Sequence, residues 1–435
     1  MQPLERASRE EISAHQDAAL GRLLAYLAAH SPFYQDLFAR NGVDIASIRT
    51  TQDLARVPVT TKRDLQLRNW DFLCVPKSEV AEYCSTSGTL GLPVTVCLTR
   101  ADLERLNYNE YLSFQCADGT AADVYQLMLT LDRQFMAGIA YYGGILQSGA
   151  SVIRLGPGNI KAQLDSILHL QPTVLIAVPS FINSLINHAR EVGVDLNTTS
   201  VRRVICIGES IRREDFQPNA LARKITDAWA VKLHSTYAST EKQTAFTECG
   251  AGLGGHHQPE LLIFEILDEA DHILPAGQFG ELVITTLGVA GMPLLRYKTG
   301  DICAYYEGPC ACGRTTRRLG PIVGRKQQLL KYKGTTVYPQ AIFNVLNTFP
   351  EVAAYVVEAF TSEVDTDELR VSLALHTASD ATIGRIRQAL QSGLRVLPQL
   401  QVLPLPEVLA LQNTENKRKP SSFIDQRKPL PPQSE

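Results

Sequence analysis

Residues 85–93 form a short stretch rich in Ser, Thr and Gly, between Tyr83 and a strand-like apolar run over residues 94–98. Its hydroxyl and backbone N–H groups are donors that suit a polyphosphate, and its glycines let the chain approach a ligand closely. The stretch lacks the Lys-Ser or Lys-Thr pair that follows the second glycine of a Walker loop. Considered alone, a phosphate-binding loop and a surface turn between strands explain it equally well.

A second candidate is the acid that ends the segment Tyr-Ala-Ser-Thr-Glu over residues 237–241. Glu241 follows a strand and could hold Mg²⁺ against the phosphates of ATP, because this ion takes one or two carboxylates together with phosphate oxygens. The alternative is a helix N-terminus, capped by Ser239 or Thr240, with Glu241 in the first turn. On this segment alone the helix cap is the better explanation.

Three further segments carry groups that suit a nucleotide. Asp301 ends the segment Tyr-Lys-Thr-Gly-Asp, and a carboxylate after a tight glycine turn suits the two hydroxyls of a ribose, although an ordinary β-turn acid also fits. Gly324-Arg325 opens a polar, basic stretch that runs to residue 334, and residues 417–419 form a basic cluster near the end of the sequence. Such a cluster is ordinarily a solvated tail. None of these segments decides the function by itself.

Length and charge restrict the class of protein. The 435 residues exceed one compact core and predict two or three domains. A net charge of -3 argues against a nucleic-acid binder. The first residues lack the apolar run of a signal peptide, and the longest apolar stretches are too short to cross a bilayer. We therefore predict a cytoplasmic protein without nucleic-acid or membrane partners, whose nine cysteines are reduced thiols or metal ligands.

A metal site is one explanation for three of these cysteines. Cys310 and Cys312 lie one residue apart in a turn bounded by Pro and Gly, and Cys249 lies upstream, before His256 and His257. Three sulfurs and one imidazole are a standard ligand set for structural zinc, which here would join the two ends of a β-subdomain. The cysteine spacing is shorter than the usual two to four residues, and unliganded thiols are the alternative.

The order of predicted elements indicates an α/β fold. After a helix over residues 9–30, short strands alternate with helices, as in a domain with a largely parallel sheet. We predict strands over residues 94–98, 152–155, 174–178 and 203–207, and helices over residues 100–114, 160–170, 180–191 and 212–229. The β-rich segments over residues 261–267 and 280–286 then form a β-subdomain.

A small α+β module follows. We predict helices over residues 339–348 and 381–394, and strands over residues 352–357, 368–376 and 401–405. The fold class is therefore α/β, with a large N-terminal α/β domain (residues 1–326) that includes the β-subdomain, and a small C-terminal α+β domain (residues 327–435). The chain shows no internal repeat.

The order of the candidate segments resembles that of the acyl-adenylate-forming superfamily, and finer features are similar to its phenylacetate–CoA ligase branch. These features are Ser-Pro-Phe-Tyr at residues 31–34 and the segments over residues 280–287, 291–297 and 310–314. The resemblance covers nearly the whole chain. It implies an AMP-forming acid–CoA ligase that uses ATP with magnesium to adenylate a small aromatic acid, such as phenylacetate, benzoate or an aminobenzoate, and then transfers the acyl group to coenzyme A.

The resemblance also implies a role for each candidate residue. Lys419 would be the adenylation lysine. It is preferred to Lys417 because residues 423–427 then fall in the family register. The C-terminal domain would carry this lysine and rotate between the half-reactions. Glu241 would bind magnesium. The implied nucleotide-binding residues are Ser85, Thr86, Ser87, Gly88, Thr89, Gly91, Gly208, Glu209, Ser210, Tyr237, Ser239, Thr240, Asp301 and Arg325. The implied acid pocket comprises Phe135, Met136, Gly138, Tyr142, Val178, Ile207 and Ala238. Likeness to cysteine-bearing relatives favours a structural zinc held by Cys249, His256, Cys310 and Cys312.

Several positions depart from the family pattern. The loop has Leu90 and Leu92 where a Thr and a Lys are usual, the hinge has Gln327-Gln328 in place of a carboxylate, Ala238 replaces a glycine, and Ser422 replaces an Arg. One alternative function is adenylation with transfer to a carrier protein, an amine or a hydroxyl. Another is a non-catalytic homologue, which the presence of Glu241, Asp301, Arg325 and Lys419 disfavours. A homodimer is a further expectation.

Overall fold

The computed structural model describes residues 3–86, 94–328, 330–332, 335–361, 367–412 and 422–427. The chain divides into two compact units: Met1–Thr299 with Cys303–Pro321, and Gly300–Ile302 with Ile322–Glu435. The domain boundary expected between residues 326 and 327 stays a prediction. In the part of the chain that is described, no helix is both long enough and apolar enough to span a membrane.

The first unit begins with two helices, α1 (Arg9–His30) and α2 (Pro32–Arg40). Ser8 and Glu11 form a capping box at the start of α1, and its apolar stripe of leucines is buried. Ser31 ends α1, and its side chain caps α2. The helix predicted over residues 9–30 is therefore confirmed at both ends.

The described residues of the first unit form six further helices and most of the strands. The helices are α3 (Lys62–Leu67), α4 (Arg100–Cys116), α5 (Met136–Gln147), α6 (Ile160–Leu170), α7 (Pro179–Glu191) and α8 (Ala220–Ala228). The strands are β1 (Glu82–Ser85), β2 (Thr95–Leu98), β3 (Val124–Leu127), β4 (Ser151–Arg154), β5 (Val174–Ala177), β6 (Arg203–Cys206), β7 (Lys232–Ser239), β8 (Thr244–Glu248), β9 (Gly255–His256), β10 (Leu262–Leu267), β11 (Gly280–Thr286), β12 (Tyr297–Cys303), β13 (Tyr305–Tyr306) and β14 (Arg318–Leu319). The middle of β12, Gly300–Ile302, belongs to the second unit.

A nine-stranded sheet is the centre of the first unit, with the strand order β13-β14-β9-β8-β7-β6-β5-β3-β4. In this sheet β4, β3, β5, β6 and β7 lie side by side and pair in parallel. Beyond β7, the strands β8, β9, β14 and β13 continue the sheet in antiparallel pairs. The predicted parallel pairing is thus confirmed for the strands β3 to β7, whereas the remaining pairings of this sheet are antiparallel. Parallel strands end at one common edge, and ligands of open α/β sheets bind outside the carboxyl ends of such strands.

Successive residues of the buried strands face opposite sides of this sheet. In β5, Val174 and Ile176 belong to an apolar cluster with residues of α4 and α5, whereas Leu175 and Ala177 belong to a second cluster with residues of α6, α7 and α8. Helices therefore cover both faces, which explains why these strands read as continuous apolar runs. In addition, β10 and β11 form an antiparallel pair, as predicted for the β-subdomain.

The second unit has its own sheet and core. Its strands are β15 (Gly324–Arg325), β16 (Leu330–Tyr332), β17 (Thr335–Val337), β18 (Val352–Thr361), β19 (Asp367–Leu375), β20 (Gln399–Val402) and β21 (Phe423–Asp425), and its helices are α9 (Pro339–Leu346), α10 (Asp380–Leu394) and α11 (Leu405–Gln412). The main sheet has the order β20-β19-β18-β21. Its core includes Val357, Leu369, Ile386 and Leu390, which are fully buried. The α+β character of this module is confirmed.

The predicted helices differ from the structure over residues 212–229, and the predictions omit α2, α3, α5 and α11. The helix expected over residues 212–229 is wrong in its first half, because only α8 is helical; Phe216 has a positive φ of 63° and Asn219 caps α8. The helix α5 was not predicted, since three of its twelve residues are glycines of low helix propensity. Packing compensates here: a Cβ on Gly144 would lie 2.4 Å from the Cβ of Glu110 in α4, so only glycine permits this approach.

Candidate active site

Glu241 lies at the tip of a β-hairpin. Ser239 at the end of β7 pairs with Thr244 at the start of β8, and residues 240–243 are the turn between them. The Lys242 N–H donates to Ser239 Oγ (3.3 Å), and the Gln243 N–H donates to Ser239 O (3.2 Å). The helix-cap alternative for this segment is therefore wrong, because a strand follows the acid. Glu241 is half-buried, so its carboxylate can face a bound cation.

The hairpin extends beyond the neighbouring parallel strands. β7 pairs with β6 only up to Ser235, and its remaining residues pair with β8 instead. This places Tyr237 at the carboxyl edge of the sheet. The Nζ of Lys242 lies 3.3 Å from the centroid of the Tyr237 ring and is buried with the rest of its side chain. A buried cation against an aromatic face is a favourable contact that fixes the ring.

Lys242 was missed in the sequence because a lysine after an acid normally reads as a solvated surface residue. The structure instead buries its side chain completely, beneath the aromatic ring of the same segment. The only signal in the sequence is its position next to Glu241, and that signal is too common to be informative.

The described residues of the expected phosphate loop form its stem. β1 and β2 pair from Glu82–Leu98 to Ser85–Thr95, and Thr86 extends the pairing, since its N–H donates to Val94 O (3.0 Å). The Val94 N–H donates in turn to Thr86 Oγ1 (3.0 Å). The remaining expected loop residues, Ser87, Gly88, Thr89 and Gly91, lie outside the described residues, as do Leu90 and Leu92.

The segment after β6 also lies at the carboxyl edge. Gly208 has a positive φ of 75°, which favours glycine. The Glu209 carboxylate accepts hydrogen bonds from the Ser180 N–H (2.9 Å) and the Ser180 hydroxyl (2.8 Å) at the start of α7. The hydroxyl of Ser210 donates to Arg212 O (2.9 Å). Glu209 and Ser210 thus already have protein partners that hold this turn in place.

Most of the expected acid pocket gathers in one place. Phe135, Tyr142, Val178 and Ile207 pack in the same apolar cluster, which lies between α5 and the carboxyl ends of β5 and β6. Met136 is buried in the first turn of α5, and Gly138 in that helix would place a Cβ 2.4 Å from Thr130 O. Ala238, by contrast, is exposed on β7. The expected residues therefore share one neighbourhood, and their contact with an acid stays a prediction.

In the second unit, Asp301 and Arg325 are partners. They are a register pair of β12 and β15, and the Arg325 Nε donates to Asp301 Oδ1 (2.9 Å). The Asp301 side chain is 5% exposed and that of Arg325 is 51% exposed. Asp301 thus lies in a strand and not in the expected turn, although Gly300 before it has a positive φ of 77°, which interrupts the extended backbone.

Lys419 and Lys417 lie outside the described residues. Lys419 is preferred to Lys417 because residues 423–427 match the family register. The first three of these residues form β21, which pairs in parallel with β18. Next to it, the Arg427 guanidinium binds the Asp425 carboxylate through two hydrogen bonds, of 2.9 and 2.7 Å. Gln327 and Gln328 lie in a short 3₁₀ turn over Lys326–Gln328.

The four expected metal ligands converge. The sulfurs of Cys249, Cys310 and Cys312 and an imidazole nitrogen of His256 all lie within 4.8 Å of one another. Cys249 Sγ is 3.6 Å from Cys310 Sγ, and Cys312 Sγ is 3.4 Å from His256 Nε2. Ligands 2.3 Å from a tetrahedral ion lie about 3.8 Å apart, so the spacing suits a zinc ion.

Burial acts on all these residues, and it raises the pKa of the Cys249 thiol to about 12. Burial, with the charges of Arg314 and Arg318, lowers the pKa of His256 to about 3, which keeps the imidazole neutral and able to ligate. Its Nδ1 lies 3.1 Å from Thr316 Oγ1, which orients the ring. Burial opposes ionisation of Cys312, but hydrogen bonds from Arg314 outweigh it and lower the pKa of this thiol.

Comparison with known proteins identifies this arrangement. The family of AMP-binding enzymes matches residues 42–292. A phenylacetate-coenzyme A ligase of Thermus thermophilus is 31% identical over 85% of this chain and 83% of its own, and one of Aromatoleum evansii is 26% identical over 88% and 86%. A crystal structure of a 2-hydroxyisobutyryl-CoA ligase in the postadenylation state, in complex with 2-HIB-AMP, has a TM-score of 0.84 at 21% identity and covers 97% of this chain and 91% of its own.

The fold and the order of the site segments define an adenylate-forming enzyme. The chain belongs to the AMP-binding enzyme family, in the group of the phenylacetate–CoA ligases, as the resemblance in the sequence implied. The protein is accordingly an AMP-forming acid–CoA ligase, which uses ATP to adenylate a carboxylic acid and then forms a thioester with coenzyme A.

Proposed function

We propose that this ligase activates a small aromatic carboxylic acid. The observation that supports the proposal best is the cluster of Phe135, Tyr142, Val178 and Ile207, in which Ile207 follows β6, the neighbour of β7 in the sheet. Two aromatic and two aliphatic side chains suit a flat ring better than a long or charged acyl chain. Phenylacetate, benzoate and aminobenzoate fit this chemistry, and the named relatives are phenylacetate-coenzyme A ligases.

In the first half-reaction, the acid carboxylate attacks the α-phosphorus of ATP, and pyrophosphate leaves. Two anions must meet, so catalysis depends on positioning and on neutralising the negative charge that develops. We assign Glu241 to the magnesium that accompanies ATP, and residues 85–91 to its phosphates. Lys419 is the charge stabiliser for the α-phosphate in this assignment, and Tyr237 supplies a ring on which the adenine can stack.

In the second half-reaction, the thiol of coenzyme A attacks the acyl carbon, and AMP leaves. Lys419 is needed only before this step, so we propose that the C-terminal domain moves between the two half-reactions. We place the hinge at Gln327-Gln328. Asp301 and Arg325 are assigned to the ribose and phosphate side of the nucleotide. We retain the expectations of a cytoplasmic location and a homodimer as predictions of the same account.

Acid-dependent ATP–pyrophosphate exchange, measured over a panel of acids, tests the substrate class. Aromatic acids should support exchange at micromolar to millimolar concentration, whereas aliphatic acids of similar size should be much poorer. Exchange that prefers short aliphatic or hydroxy acids would refute the aromatic assignment without affecting the ligase class. Release of AMP that depends on a carrier protein or an amine, and not on coenzyme A, would favour the alternative acceptors.

We also propose a structural zinc ion at Cys249, His256, Cys310 and Cys312. Three thiolates and one imidazole leave no open position for a substrate, so the ion would stabilise the fold and not take part in the reaction. Cys249 follows β8, His256 lies in β9, and the other two cysteines precede β14, so the ion would tie the β8–β9 connection to a segment that is distant in sequence.

Elemental analysis of protein purified without an affinity tag tests this second proposal. We expect about one zinc per chain, which Cys310→Ala loses together with thermal stability. Cys206→Ala is the matched control, because Cys206 is equally buried but lies in the sheet core outside the cluster. Wild-type protein without metal, or a control that loses as much metal as Cys310→Ala, would contradict the zinc site.

A further inference from the structure

Arg105 in α4 is a buried arginine that binds four groups of neighbouring segments. Its side chain donates to Gln243 O (2.7 Å), Leu261 O (2.6 Å), Leu287 O (2.7 Å) and Thr244 Oγ1 (3.1 Å). All four acceptors are neutral, and three are backbone carbonyls. The residue is 2% exposed. A cation without a carboxylate among its bonded partners is costly to bury, so these four hydrogen bonds must offset the desolvation of the guanidinium.

The acceptors lie where two hairpins meet. Gln243 ends the turn that carries Glu241, and its backbone has a positive φ of 51°, which is uncommon for a residue with a side chain. Leu261 directly precedes β10, and Leu287 directly follows β11, and these two residues are themselves joined by a backbone hydrogen bond of 2.9 Å. One planar guanidinium therefore fixes the turn of the β7–β8 hairpin to the end of the β10–β11 pair.

We propose that Arg105 is a positioning residue for Glu241. By binding Gln243 O and Thr244 Oγ1, it holds the last part of the turn in its left-handed conformation, and this fixes the direction in which Glu241, two residues earlier, leaves the hairpin. The inference rests on the proposed role of Glu241 in binding the magnesium that accompanies ATP. In this account Arg105 contacts neither ATP nor the substrate acid, so it acts through the carboxylate of Glu241.

Only an arginine can make this set of contacts. The Nε and both terminal nitrogens bond in three directions within one plane, whereas the ammonium of a lysine is a single point with a different reach. Arg105→Lys should therefore keep the charge but lose the geometry. Arg203 is a suitable control for the same substitution, because it is also largely buried and pairs with Asp123, but it begins β6 at the edge of the sheet opposite the hairpin.

The test measures adenylation by the full-length enzyme as a function of magnesium concentration, with ATP and the preferred acid fixed. We expect Arg105→Lys to need roughly ten times more magnesium for half-maximal adenylation and to turn over about ten times more slowly at saturation. Arg203→Lys should match the wild-type magnesium dependence, although it is destabilised to a similar degree. If Arg105→Lys does not fold, Arg105→Gln, which is neutral and smaller, takes its place in the same measurement.

A double-variant cycle separates this inference from the proposal on which it rests. If Arg105 acts through Glu241, then Arg105→Lys has little further effect in the Glu241→Gln background. Equal loss of activity in both backgrounds, or a magnesium dependence that is unchanged in Arg105→Lys, overturns the positioning role. If Glu241→Gln alone leaves both activity and magnesium dependence unchanged, the proposed role of Glu241 fails instead.

Discussion

Glu241 is expected to bind the magnesium that accompanies ATP and Asp301 to bind the ribose, yet the structure gives the two acids opposite surroundings. Glu241 lies half-buried in a four-residue turn between two strands. Asp301 is almost fully buried in a strand and paired with Arg325. A carboxylate at a hairpin tip can be changed at little cost to the fold, whereas a buried, paired carboxylate contributes to both stability and binding. Substitutions should therefore separate activity from stability at Glu241 but not at Asp301.

The largest effect is expected at Lys419, to which we assign the positive charge that stabilises the α-phosphate during adenylation. Lys419→Ala should slow adenylation by about two to three orders of magnitude, the scale for removing one strong charge stabiliser from a transition state. Thioester formation from preformed acyl-adenylate should be nearly unchanged. Rapid-quench measurement of each half-reaction checks this, with Lys417→Ala as the control. An equal loss of rate in both half-reactions would refute the assignment of Lys419 to adenylation. A severe loss in Lys417→Ala would mean that Lys417 is the adenylation lysine.

Glu241→Gln should lower the adenylation rate by about two orders of magnitude, because the neutral amide binds magnesium poorly. The free energy of unfolding should stay within about 0.5 kcal/mol of the wild-type value, as for other surface substitutions. Denaturant unfolding and adenylation kinetics on the same preparation test both parts. A large loss of stability at Glu241 would remove its contrast with Asp301.

Asp301→Asn should lower both stability and activity. It removes the charge partner of Arg325, and because that arginine is half-exposed, solvent limits the cost to about 1 kcal/mol in the free energy of unfolding. The Michaelis constant for ATP should rise several-fold, since an amide is a weaker acceptor for ribose hydroxyls. Unchanged ATP kinetics in a destabilised variant would indicate that Asp301 has only a structural role.

Glu110 is a third carboxyl group in this comparison, and its substitution should have the smallest effect on activity. Glu110 is fully buried and bonded to Asn109, and burial raises its pKa to about 8. Because an unfolded glutamate ionises near pH 4.5, the unfolded state loses this proton first, and stability falls between about pH 4.5 and 8. Glu110→Gln should flatten this part of the stability profile, measured by thermal unfolding. A profile that keeps the wild-type slope would show that Glu110 does not titrate as inferred.

Much of the fold could be predicted from the sequence, and the failures have physical causes. Helices with caps and apolar stripes, such as α1 and α6, were predicted at their observed bounds because local signals coincide with burial. The glycine-rich α5 and the positive φ at Phe216 depend on tertiary packing, which no local pattern reports.

The same distinction applies to the candidate site. Residues that belong to a motif, such as Glu241, and ligand types that are rare, such as cysteine, could be identified before their positions were known. Asp301 and Arg325 could each be named, but not their contact or the burial of Asp301, because pairing between β12 and β15 decides both. Lys242 and Arg105 could not be found at all, since a buried lysine or arginine is defined by its partners and not by its neighbours in the sequence.

The most direct test of the central claim follows both half-reactions in one experiment. Enzyme in excess over ATP is mixed with the preferred aromatic acid and magnesium, and products are separated by mass spectrometry before and after coenzyme A is added. The account predicts bound acyl-adenylate and free pyrophosphate before the addition, and acyl-CoA with an equal amount of AMP after it. Formation of ADP and phosphate, or an adenylate that coenzyme A does not discharge, would contradict it.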